Sequence, residues 1–337
     1  MKHWRVGLLG LVVSLLAIAF IGAQINPGLV AGALTAARYE YLLPTIALLL
    51  AGLVARAIRW RALLGGGLPL ARAFSIMNVA YLVNGVLPLR IGEVARMFLA
   101  ARADPPVPAL KSASTIVVER LLDLLAVVAL LTLALAASPA PDELRAAAAI
   151  GPAALAGFLM LVGLASQRER ALRLLAAAAD RVARAPETHP RRAVIARRLV
   201  AGFGQILDGL APLSQPGALL SALALTAVSW SLSAAAGYVL MFAFYDQGSW
   251  VATGLYIAAA ALAIAVPAVP GNLGTYELSI LLALGAVGYG EPRNVAAAFA
   301  LVVHGVNVAV HAGTGVIGLI QEGISVGELS RGIQGIR

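Results

Sequence analysis

The sequence predicts an all-α polytopic membrane protein with about six full transmembrane helices and two opposed re-entrant helical hairpins, forming a single integral membrane domain over 1–337. Three observations carry this prediction. Hydrophobic residues make up 61% of the chain and charged ones 12%, with a mean hydropathy of +0.89, whereas a soluble domain carries roughly 25% charged residues. The apolar runs are about 18–25 residues long, which at 1.5 Å per helical residue matches a hydrocarbon core of roughly 30 Å. Two otherwise apolar stretches, NGVLPLRIGEVAR at 84–96 and VPAVPGNLGTYELS at 266–279, are each broken by a Pro-x-x-x-Gly step and then carry a carboxylate, Glu93 or Glu277. In hydrocarbon a broken helix and a carboxylate are both costly unless they line a wet or protein-walled cavity. Paired interruptions in the two halves of a membrane protein are a usual trace of a transport site.

Taken in order, the first span is expected near 6–25. The start from Met1 to Arg5 and the apolar run to about Ile25 resemble a secretory signal. The run is nevertheless long for one and lacks a polar cleavage region, so it reads as an uncleaved span. A second span follows near 41–58. Residues 73–102 are broken by Pro88 and Gly92; because proline removes a helical hydrogen bond, this segment reads as two half-helices that return to their own side, with a kinked full span as the alternative. Spans near 112–137 and 146–165 come next. The polar stretch 166–216 holds nine arginines between 168 and 198 among segments such as LRLLAAAADRVARA. It reads either as one or two helices on the inner leaflet, held by apolar faces and by arginine attraction to anionic headgroups, or as an ordinary basic loop. A span near 217–245, a second broken segment at 251–286 and a last span near 295–320 complete the chain.

With this layout, 21 of the 25 basic residues fall on one side, three (Arg38, Arg145, Arg293) on the other, and Arg120 within a span. The positive-inside rule then places both termini in the cytoplasm, in the inner or plasma membrane. The first hairpin enters from the cytoplasm and the second from outside, so that their tips approach each other. The net charge of +9 accompanies no nucleic-acid motif or aromatic-interleaved basic surface, so no nucleic acid is expected. The chain has no cysteine, which excludes disulfides, thiolate chemistry and Cys-based metal sites.

Three constellations are candidates for chemistry. The first is Asn84, Pro88, Arg90, Gly92, Glu93 and Arg96. Glu93 and Arg96 are three apart and share a helical face, and a guanidinium in a low-dielectric cleft suits a phosphate because its planar fork donates two parallel hydrogen bonds. The bland alternative is a pair of snorkelling arginines with one neutralising carboxylate. The second is Glu119, Arg120 and Asp123 in STIVVERLLD, where Arg120 can pair with Asp123; three ionisable residues within five membrane positions need protein or water around them, as a cleft lining or as a structural ion-pair cluster. The third is Pro267, Pro270, Gly271, Asn272, Gly274 and Glu277, a flexible break and helix restart whose free N–H groups favour anions; a kinked packing helix is the alternative. His304 and His311 lie about 10 Å apart along a helix, too far to share one ion, and read as a polar face. Gly313, Gly315 and Gly318 match G-x-G-x-x-G without a preceding strand, so close helix packing explains them. Neither a metal nor a cofactor is expected, and no phosphate-binding loop for ATP is present.

On NGVLPLRIGEVAR, VVERLLD and VPGNLGTYE, in that order, the chain resembles the flippase-like transmembrane region of lysylphosphatidylglycerol synthases, over roughly 40–320. The resemblance implies a lipid-translocase fold whose two hairpins line a headgroup cleft. Asn84, Arg90, Glu93, Arg96, Glu119, Arg120, Asp123 and Glu277 then inherit a substrate-binding role, with breaks at Pro88, Gly92, Pro270, Gly271 and Gly274. Full-length synthases carry a further soluble aminoacyl-transferase domain. Only Gln321 to Arg337 follow the last expected span here, so that activity is not expected. The expected partners are membrane lipids with an anionic phosphate headgroup; an oligomer is not indicated. A lipid-modifying transferase, with Glu277 or Asp123 as general base, and a non-transporting partner of a lipid-synthesis enzyme are the competing readings.

Overall fold

The computed structural model describes residues 3–87, 91–137, 150–184, 190–264, 270–324, 327–328 and 331, and among them every regular element is helical. The helices are α1 (His3–Gly22), α2 (Pro27–Ala36), α3 (Leu42–Leu63), α4 (Leu70–Val86), α5 (Gly92–Ala101), α6 (Ala109–Ala136), α7 (Ile150–Ser166), α8 (Arg168–Arg184), α9 (Pro190–Leu210), α10 (Pro216–Met241), α11 (Trp250–Ala263), α12 (Thr275–Gly285) and α13 (Arg293–Glu322). Large apolar side chains on different helices, among them Leu16, Leu43, Leu133, Leu220 and Ile320, face outward. An apolar exterior of this extent suits lipid and would drive aggregation in water.

By length and apolarity, three segments among the described residues qualify as spans: Tyr39–Leu63, Pro216–Met241 and Arg293–Glu322. The expected first span qualifies only together with α2, as a pair bent by 83°. Three spans, or four with the bent pair, thus qualify among the described residues where about six are expected, and the rest of the layout is made of shorter or charge-interrupted helices. Helix α6 has 28 residues, about 42 Å, yet Glu119, Arg120 and Asp123 interrupt it; α7 has 17, and the expected start of its span at 146 lies outside the described residues. Helix α2 has no counterpart in the sequence layout. Asn26 starts it by accepting hydrogen bonds from the Gly28 and Leu29 N–H groups, with Pro27 in its first turn, a favourable combination of cap and pre-set φ.

The connections collect at two ends. At one, the Asn26 N–H donates to Asn294 Oδ1 at 2.8 Å, the Arg38 N–H to the Ala243 carbonyl at 2.9 Å and the Tyr245 hydroxyl to the Tyr289 carbonyl at 3.0 Å. At the other, Arg61 donates to the Leu68 carbonyl, Arg72 reaches both the Arg102 carbonyl and Glu322, and a Cβ on Gly67 would touch Pro105. Helices α4 and α5 leave the second end and return to it, and α11 and α12 do the same from the first end. Both broken segments are thus helix–break–helix hairpins that start from opposite ends. Their tips meet: a Cβ on Gly271 would stand 3.7 Å from the Gly85 carbonyl.

The basic stretch forms two helices. Arg168 pairs with Asp208, and Gly204 lies against Leu172, so α8 and α9 run antiparallel. Gly209 lets α9 approach the Lys111 carbonyl and Ser114 at the start of α6. Arg170, Arg173 and Arg198 are exposed alongside Leu174, Leu199 and Phe203, the mixed face expected of a pair lying at a membrane surface.

Candidate functional site

Helix α3 continues to Leu63, past its expected end at 58, and so carries Arg59 and Trp60 inward. Arg59 is only 1% exposed. Its Nη1 donates to Asp123 Oδ1 at 2.8 Å and to Thr226 Oγ1 at 2.9 Å, and its Nε stands 3.7 Å from Glu119 Oε1. Arg96, from α5, reaches Glu119 Oε2 at 2.7 Å and lies over the Trp60 ring, 3.9 Å from its centroid. Trp60 in turn donates to Thr115 at 3.2 Å, and Trp230 to Asp123 Oδ1 at 3.1 Å. At the rim Arg120 donates to Glu93 Oε1 at 2.5 Å and stands 3.9 Å from Asp123 Oδ2. Three arginines, Arg59, Arg96 and Arg120, thereby meet three carboxylates, Glu93, Glu119 and Asp123, which satisfies the demand that buried charge be paired.

This arrangement corrects the pairing expected from helical spacing. Glu93 and Arg96 do not pair with each other; each crosses to α6, because α5 lies against that helix with both residues turned toward it. Arg120 is held chiefly by Glu93 and only weakly by Asp123, whose close partner is Arg59. Arg59, counted as an inner-surface charge from the sequence, is the centre of the cluster. The signal that points to it is its place three residues after Arg56 on an apolar helix, one turn apart on one face.

The first hairpin is closed by Asn84, whose Oδ1 accepts the Gly92 N–H at 2.8 Å. Gly92 sits so near the Ala80 carbonyl that a Cβ there would overlap it. Pro88 and Arg90 lie outside the described residues.

The second hairpin turns through Gly271 (φ 75°), Asn272 (φ 56°) and Gly274 (φ 84°), backbone values that favour glycine and tolerate asparagine. Pro270 opens the short 3₁₀ turn Pro270–Asn272. Glu277, the third residue of α12, accepts the Gly274 N–H at 2.7 Å and contacts His304 Nδ1 at 2.5 Å. Glu277 and His304 are both buried, and the Tyr276 ring meets the imidazole at a tilt of 35°, 4.6 Å between centroids. Glu277 thus finds a histidine partner on α13, which reads from the sequence only as part of a polar face. His311, seven residues on, instead contacts the Tyr81 ring at 5.1 Å. Of the glycines in the G-x-G-x-x-G match on α13, Gly315 and Gly318 pack on α4, where a Cβ would come within 2.8 Å of the Asn78 and Ser75 carbonyls. Thr314 donates to Asn78 Oδ1 beside them.

Between α3, α10, α11, α12 and α13 lies a cavity of about 190 Å³ that sequence spacing did not indicate. Arg56, Trp230, Tyr256, Tyr276, Asn307 and His311 supply its polar wall. Trp230 separates it from the ion cluster, with Arg56 over its ring at 5.3 Å and its N–H on Asp123. The second hairpin borders the cavity through Ile264 and Tyr276, and Tyr81 of the first contacts His311 in its wall.

No curated protein and no solved structure matches the chain. The family described as lysylphosphatidylglycerol synthase TM region matches residues 7–315, nearly the whole length, and an all-helical membrane protein with VVERLLD paired across to the first hairpin agrees with the resemblance read from its motifs: the chain belongs to that family.

Proposed function

We propose that this chain is a lipid flippase, moving a phosphate-headed lipid such as a phospholipid, an aminoacyl-phospholipid or a polyprenyl phosphate between the leaflets of a bacterial-type inner membrane. The observation that carries the reading is the tip-to-tip contact of two hairpins from opposite ends, next to a polar cavity and a charge-balanced cluster in an otherwise apolar chain. A headgroup crossing there meets polar groups at mid-depth, and the contact between the tips stands in its way. Glu93 and Arg120, the half-exposed pair at the rim, exchange partners as a headgroup passes. Arg90 serves as an entry ligand. Glu119, Arg96 and Asp123 hold the cluster's field in place, and Asn84 and Glu277 set the two hairpin breaks. No covalent step is required.

Reconstitution tests this reading. Liposomes containing the protein should move fluorescent phosphatidylglycerol or a polyprenyl phosphate between leaflets without ATP, and Arg90→Gln and Glu277→Gln should lower the rate at least tenfold while the protein stays folded. Glutamine keeps an acceptor for the Gly274 N–H and removes only charge. Rates no faster than in empty liposomes across both lipid types would refute the transport reading in favour of a transferase or a non-transporting partner.

Orientation is the second expectation. With the arginine-rich end cytoplasmic, Gln247→Cys and Glu291→Cys, both at exposed positions of the opposite end, should react with an impermeant thiol reagent in intact cells, and Arg173→Cys should react only after lysis. The reverse pattern would invert the hairpin sides.

A further inference from the structure

We infer that the cavity between α3, α10 and α13 is a phosphate subsite with Arg56 as its anion ligand, an assignment that rests on the lipid-transport reading and gives it a binding position outside the ion cluster.

The argument begins with charge. Among the described residues, the other arginines near the centre are committed: Arg59 to Asp123 and Glu119, Arg96 to Glu119, Arg120 to Glu93. Arg56 makes no ion pair of this kind among the described residues; its close contact is the Trp230 ring. It is half-buried and lines the cavity, and no carboxylate among the described residues lines that cavity with it. A guanidinium facing a low-dielectric space with its nearest counter-charge, Asp123, beyond ion-pair distance is costly, and an anion arriving there is favoured.

Hydrogen-bonding capacity gives a second, independent indication. Tyr256 is 1% exposed, lines the same cavity, and its hydroxyl has no hydrogen-bond partner. Buried hydroxyls are nearly always satisfied, and this one is an O–H donor waiting for an acceptor. Asn307 adds an amide on the α13 side, its Nδ2 held by the Val303 carbonyl at 2.8 Å. Phosphate oxygens are strong acceptors, and an arginine fork matches two of them at once.

Size sets the class. At about 190 Å³ the cavity falls below the roughly 300–1,000 Å³ of a pocket that encloses a whole small ligand. A phosphate with a small substituent fits, with the acyl chains left outside among the exposed apolar side chains. Arg56 is therefore the group that draws the headgroup inward, while the buried Arg59–Asp123 and Arg96–Glu119 pairs of the neighbouring cluster stay closed.

Titration of the intact protein in detergent, followed by ³¹P line broadening, tests this. Dihexanoyl phosphatidylglycerol should bind saturably, the phosphate-free dihexanoylglycerol should not compete, and inorganic phosphate should compete only at far higher concentration. Arg56→Gln should weaken binding at least tenfold, and Arg56→Lys, which keeps the charge and loses the fork, by an intermediate factor. Tyr256→Phe should weaken it severalfold without altering the melting temperature. If Arg56→Gln, or Arg56→Lys should the glutamine variant not fold, binds the lipid as the parent does, the assignment fails. Competition by inorganic phosphate at the same concentration as the lipid would overturn the headgroup part. Arg56-dependent binding in a protein that moves no lipid in liposomes would leave the subsite standing and sink the transport reading, so the two failures are separable.

Discussion

Replacing Arg59 with leucine is expected to lower folding stability by about 3–5 kcal/mol, because it leaves Asp123 and Glu119 buried with one fewer cation between them. The side chain is 1% exposed and bonded to Asp123 and Thr226, so water cannot take its place. Arg120→Leu acts on a half-exposed arginine and should cost markedly less, since solvent screens what remains. The sharper measurement is a double-mutant cycle in detergent unfolding. Arg59→Leu with Asp123→Leu removes a balanced pair and should cost less than the sum of the two single changes. Simple additivity would show that the two groups are not coupled.

The second large effect is expected at Gly92. Even an alanine there would drive its Cβ into the Ala80 carbonyl and the Asn84 amide, and the obstruction is backbone, which cannot swing aside. The two arms of the first hairpin must then part, which costs about 1–3 kcal/mol by comparison with other overpacked sites and carries Arg96 and Glu93 away from α6. Gly92→Ala should accordingly reduce both thermal stability and lipid movement. Gly85→Ala is the control: a Cβ there meets nothing within 4 Å, and the change should be neutral or slightly stabilising through helix propensity. Equal melting temperatures for the two variants would show that the hairpin is looser than its contacts imply.

Much of this architecture is legible in the sequence because it follows from local rules. Pro88, Gly92, Pro270 and Gly274 interrupt apolar runs, and interruption is a property of the chain itself. Gly315 and Gly318 announce a close helix contact by size alone. The pairing of charges is different. Glu93 and Arg96 satisfy helical spacing but are turned across to another helix, and Arg59 finds carboxylates more than 50 residues away, information that only tertiary packing supplies. Counting basic residues by side, the correct procedure for orientation, treats every arginine near a helix end as solvated and so hides Arg59 and Arg96, which are buried. His304 stands 27 residues from Glu277 in the chain, a separation with no periodic meaning. Helix α2 was readable in principle, since Asn26-Pro27 is a start signal, but its ten residues are too few to register as a span.

The last helix has a mechanical consequence. Helix α13 holds α4 through Gly315 and Gly318, whose α-carbons sit against backbone carbonyls, and holds α12 through His304 on Glu277. A glycine seated against a carbonyl resists sliding, because a shift of one position would bring a side chain into the same gap. Helix α13 is thus a shared keel: one arm of each hairpin is fastened to it, while α5 and α11 are fastened elsewhere, to α6. Gly85 lies on α4 and Gly271 leads into α12, so a movement of whole helices that parts the tips has to loosen one of these two fastenings to α13. The buried ion pairs of Arg59 and Arg96, which join α3, α5 and α6, have no member on α4, α12 or α13, so neither fastening runs through them.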